Sequence, residues 1–161
     1  MRMLFFELLQ VAVGNRERLS RVPTAVEWSD LYEESERQAV TGILLQGIEQ
    51  LPAEQRPFQD ILLQWIGVGQ MIEQQNHHMD GRCKEMLERL NDAGLHGTIL
   101  KGQGVALLYD TDLRYLRQSG DIDVYANCGI RKALAFAKSQ GLKDVEWDYE
   151  TDETEGQVPV S

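Results

Sequence analysis

Cysteine is scarce in this chain of 161 residues: Cys83 and Cys128 are the only two, and neither lies in a CxxC or at Cys/His ligand spacing. That excludes a disulfide framework and points to a reducing, cytoplasmic compartment. No run of eighteen apolar residues occurs, so no membrane-spanning helix is expected. Basic residues are in deficit, 16 Lys and Arg against 26 Asp and Glu, for a net charge of −10. A protein that coats DNA non-specifically needs clustered positive charge and is excluded, whereas handling nucleotides through metal ions is not. The imbalance is local: residues 141–161 hold one Lys against seven acidic side chains. What is present is ordinary, 42% hydrophobic and 26% charged, the composition of one globular domain with a helical extension.

The first half carries helical periodicity. Leu4, Leu8 and Val11 recur at helical spacing. Glu7 and Gln10 interrupt the apolar run after Arg2, so this segment reads as a short amphipathic helix and not as a secretory leader. Trp28, Leu31, Tyr32, Val40, Ile43, Leu44 and Ile48 predict one helix over 29–50 with Ser29 as N-cap. The strongest pattern runs from Ile61 through Trp65, Val68, Ile72, Met79 and Cys83 to Leu90, with Asn76 on the same stripe. It predicts a helix of about thirty-five residues, with Pro57 in its first turn and Gly94 as its stop. Trp65, Met71, Met79 and Met86 read as core packing, and His77-His78 as a solvated pair, because adjacent helical side chains diverge.

After Gly94 the pattern changes. His96–Leu100 reads as a strand, Lys101-Gly102-Gln103-Gly104 as a turn and Val105–Tyr109 as a helix. Asp121–Ala126 reads as a second strand, Ile130–Ser139 as a helix ended by Gly141, and Asp144–Glu150 as a third strand. The expected fold class is therefore α+β: a helical region over 1–94, then a small mixed sheet with flanking helices over 95–150, then an acidic tail over 151–161.

The chemistry concentrates in Ile99–Gly104 and Arg117–Tyr125. In a strand, residues i and i+2 project to one face, so Asp121 and Asp123 are expected to present paired carboxylates to a hard cation. Two magnesium ions about 4 Å apart clamp the oxygens of an in-line displacement. Gly120 lets a phosphate chain approach the backbone. Lys101 and Gly102 sit where a strand gives way to a helix, a place suited to phosphate. Strand, Gly-containing turn, helix and Asp-x-Asp strand together suit a nucleotide-dependent phosphoryl or nucleotidyl transferase.

Leu100, Lys101, Gly102, Tyr109, Arg117, Gly120, Asp121, Ile122, Asp123 and Val124 together resemble an uncharacterised nucleotidyltransferase family within the DNA polymerase β-like superfamily. The helical N-terminal half, with Trp28 near a helix start, is similar as well. The resemblance implies that Asp121 and Asp123 hold magnesium, that the Lys101-Gly102 turn and Gly120 bind the triphosphate of an NTP, and that Arg117 contacts phosphate or anchors its loop. The acceptor would be a small molecule, a protein or an RNA end. Two features depart from the superfamily pattern: Lys-Gly replaces Gly-Ser in the first turn, and a third carboxylate is not evident. Glu146 and Asp148 are the candidates for it. Family members usually run on well past the length of this chain, so a truncated core is expected, with slow or no turnover and self-association through an open sheet edge. The rival expectations are a catalytically incomplete interaction module and the antitoxin of a toxin–antitoxin pair.

Overall fold

Thr24 begins the first well-capped helix. Its side chain accepts from the Glu27 backbone N–H, and the Glu27 carboxylate accepts from Thr24 N–H in return, a reciprocal cap that satisfies two otherwise orphaned donors. Helix α2 therefore spans Ala25–Arg37, after α1 (Arg2–Ala12) and before α3 (Thr41–Gln50). The expected single helix over 29–50 is thus two. Ala39 adopts a left-handed φ of 52°, which no continuous right-handed helix accommodates. Ser29 is not a cap; its hydroxyl donates to Ala25 O one turn back.

The computed structural model describes residues 2–109, 111–118 and 120–141, in two compact units divided after Asn127. In the first, Leu4, Leu8 and Val11 of α1, Trp28 and Leu31 of α2, and Leu44 and Ile48 of α3 close on Trp65 of α4 (Gln59–Asp92). Tyr32 meets Trp65 edge-on, with centroids 5.2 Å apart, a preferred aromatic geometry. Gly47 permits the α1–α3 contact, since a Cβ there would lie 2.8 Å from Leu8 O.

Helix α4 has the expected length, 34 residues, and Gly94 ends it at φ +72°. Pro57 lies just outside, before the cap residue Phe58. The inward stripe is Trp65, Ile72, Asn76, Met79, Cys83 and Leu90. Met71 is exposed, contrary to expectation, because it precedes Ile72 by one position and so points about 100° away.

Beyond α4 come β1 (Gly97–Leu100), α5 (Lys101–Ala106), an unanticipated turn of helix α6 (Thr111–Arg114) and β2 (Asp123–Ala126). β1 and β2 pair antiparallel in the register Gly97↔Ala126 to Leu100↔Asp123. The fold is α+β as expected, and the sheet among the described residues is this pair. The second unit contains α7, Ile130–Ser139 as predicted, with Gly141 at φ +71° behind it. The predicted third strand, the tail, Glu146 and Asp148 lie outside the described residues.

Candidate active site

β1 ends because Lys101 turns to φ 45° and Gly102 to φ 25°, ψ −112°. Such backbone is costly for most residues, and Gly102 sits where glycine accommodates it best. The expected turn at 101–104 is therefore real, although it is folded into the first turn of α5, which ends at Ala106 and not at Tyr109. The same departure shortens the other strand. Continuing the register beyond Leu100↔Asp123 would set Ile122 and Asp121 against Lys101 and Gly102, where β1 has already left the sheet. Asp121 thus precedes β2, and the expectation that both aspartates lie on one strand is corrected: only Asp123 does.

The turn and β2 meet. Lys101 Nζ lies 3.8 Å from Asp123 Oδ2. Asp121 and Gly120 are exposed, and a Cβ at Gly120 would meet nothing within 4 Å, so the approach to the carboxylates is open. Arg117 is not in that pair. Its guanidinium stands 6.0 Å from the Tyr109 ring centroid, and its Nη1 is buried with no hydrogen-bond partner among the described residues. A buried guanidinium nitrogen without an acceptor is suited to an anion.

Whether these residues fit magnesium is decided by their donors. Two carboxylates that follow an open glycine are hard oxygen ligands, and magnesium commonly takes one or two of these and completes its shell with water and phosphate. Among the described residues no group of three or more His, Cys, Asp or Glu side chains is arranged to share one ion. Asp121 and Asp123 are the pair whose donor chemistry could hold such an ion, with the rest of its shell left to water and phosphate.

Sequence reasoning missed how this site is held in place. Asn76, 3% exposed on α4, donates through Nδ2 to Tyr115 O and Arg117 O, both at 2.7 Å, and to Ile72 O at 3.1 Å. One turn on, Asp80 accepts from Gln103 Nε2 at 2.6 Å and pairs with Arg114 Nη2 at 3.3 Å. Thr41 N–H, at the start of α3, donates to Gln118 Oε1 at 3.1 Å. The one available signal was a polar residue, Asn76, on an otherwise apolar stripe. His77, expected to be solvated, is exposed but rests on the Tyr115 ring at 4.1 Å.

A groove of about 620 Å³ runs between α4, β1 and α5, lined by Asp80, Leu87, Ile99, Gln103 and Arg114 among others. Lys101, Asp121 and Asp123 are not in its wall, so the groove and the Lys101–Asp123 pair are separate features.

The model of an uncharacterised nucleotidyltransferase family matches residues 24–156. The chain belongs to that family. The match begins at the Thr24 cap and spans α2 to α7, so the helical region and the segment bearing Lys101, Gly102, Asp121 and Asp123 fall inside the nucleotidyltransferase family region together. Comparison with curated proteins and with solved structures gives no match. No helix among the described residues is long and apolar enough to cross a membrane.

Proposed function

We propose that this nucleotidyltransferase-family chain transfers a nucleoside monophosphate from an NTP to an acceptor hydroxyl, with magnesium held by Asp121 and Asp123. The supporting observation is the approach of Lys101, at the turn into α5, to Asp123 at the start of β2. It sets a phosphate-seeking cation against a metal-seeking carboxylate. Magnesium, when bound, supplies charge neutralisation on the triphosphate. Lys101 exchanges its contact with Asp123 for a phosphate oxygen, and the Gly102 turn lets that oxygen approach the backbone. The acceptor oxygen attacks the α-phosphorus, the bond to pyrophosphate breaks, and the hydroxyl proton passes to a carboxylate, for which Glu146 and Asp148 are the candidates in the sequence.

A nucleotide-binding module without turnover is the second reading. It rests on the departure in the first turn, Lys101-Gly102 in place of Gly-Ser, which leaves the phosphate contacts less defined. Titrating each NTP with and without magnesium, alongside transfer of radiolabelled nucleotide, separates the two. Magnesium-dependent binding that Asp123→Asn abolishes, with incorporation into an acceptor, supports the enzyme. The same binding without incorporation supports the module. Binding that ignores both magnesium and Asp123 defeats both.

A further inference from the structure

We infer that Asn76 is the positioning residue of this site, acting with Gln103 through one turn of α4 to hold the phosphate turn and the aspartate-bearing loop in fixed relation. The purpose assigned to this clamp rests on the nucleotidyltransferase reading; its existence does not. A primary amide in an apolar stripe is expensive to bury unless its hydrogen bonds are made. The amide of Asn76 makes its two shortest donations, at 2.7 Å each, to Tyr115 O and Arg117 O, carbonyls of an irregular segment. Such backbone groups need a partner when buried. That segment leads through Gly120 to Asp121 and Asp123.

The second arm reaches the other half of the site. Gln103 is 7% exposed, two residues after Lys101, and its Nε2 donates to Asp80 Oδ1 at 2.6 Å and to the Asn76 carbonyl at 3.3 Å. Arg114 Nη2 closes the network on Asp80 Oδ2. Residues 76–80 therefore bind α5 on one side and the 114–117 segment on the other. Lys101 and Asp123 meet through side chains largely open to water, a contact too weak to set its own geometry. The β1–β2 register sets Leu100 opposite Asp123, and the buried amides tie the turn that follows Lys101 and the loop that precedes Asp121 to α4.

The test uses the full chain, with Asn76→Leu to preserve volume without donors and Gln103→Leu to cut the second arm. Native-state hydrogen exchange is expected to quicken about tenfold or more at the described amides of 115–123 in Asn76→Leu, and over 101–106 in Gln103→Leu, while core amides of α1 and α3 keep their rates. A uniform rise across the chain, which a merely structural role produces, or no rise at all, overturns the clamp. If Asn76→Leu does not fold, Gln103→Leu carries the same criterion at 101–106. Manganese alone then serves as a paramagnetic probe. In the wild type it is expected to broaden the amides of Asp121, Asp123, Lys101 and Gly102 together, and in Asn76→Leu to need a several-fold higher manganese concentration to do so, because the loop that carries Asp121 is no longer held. Unchanged joint broadening in the variant also overturns the clamp. Absence of broadening in the wild type instead defeats the metal reading, and exchange still decides the clamp.

Discussion

Lys101 Nζ lies 3.8 Å from Asp123 Oδ2 because the antiparallel register sets Leu100 opposite Asp123, one residue before the chain turns. Their side chains are 79% and 43% exposed, so solvent screens most of the attraction. Lys101→Ala is expected to change stability by less than about 1 kcal/mol, yet to weaken NTP binding about tenfold through the lost cation. Thermal melts and calorimetric titration measure the two effects. A large fall in melting temperature with unchanged nucleotide affinity would make the pair structural.

Two helical glycines should respond differently to the same substitution. A Cβ at Gly42 would collide with the backbone oxygen of Leu116, whereas one at Gly69 would collide with the terminal methyl of Leu45. Backbone cannot yield as a rotamer can. Gly42→Ala is therefore expected to cost about 2–4 kcal/mol. At Gly69 the gain in helix propensity, about 1 kcal/mol, offsets much of the strain. Urea denaturation of both variants checks the order, and equal costs would contradict it.

Acid should loosen the start of α2. The hydrogen bond from Arg21, and then that from the Thr24 backbone N–H, lower the Glu27 carboxyl from its ordinary value to about 2. A group whose folded pKa is depressed contributes stability that is present above the unfolded value, about 4.5, and is lost as pH falls towards 2. Melting temperature should fall across that window, and Glu27→Gln should fall less steeply. Parallel profiles for the two proteins would show that the cap does not link to protonation.

The two thiols should be distinguishable. Cys83 is buried on α4, and burial first, then the nearby Asp80 charge, raises its pKa. Cys128 is partly exposed. A thiolate-directed reagent at neutral pH is expected to modify Cys128 at least about tenfold faster, with Cys83 catching up only on unfolding or at high pH. Mass spectrometry over a labelling time course reads this directly, and equal rates would place Cys83 in contact with solvent.

Periodicity alone determines much of this protein. The stripe from Ile61 to Leu90 sets the length of α4, and Gly94 and Gly141 mark helix ends because left-handed backbone suits glycine. The bounds of α7 and the family resemblance carried by Lys101-Gly102 and Gly120–Asp123 are likewise local in sequence. Three features were decided by the tertiary structure. Ala39 turns left-handed between two helices whose apolar pattern is continuous, because α3 must fold back to pack on α1 and α4. β2 begins at Asp123 and not at Asp121, because a strand extends only as far as its partner does. Asn76 reads in sequence as a gap in a hydrophobic stripe, and its purpose emerges only when the carbonyls of Tyr115 and Arg117 arrive beside it. A pattern within one helix reports which face is buried; it holds no record of which distant backbone groups will need a donor there.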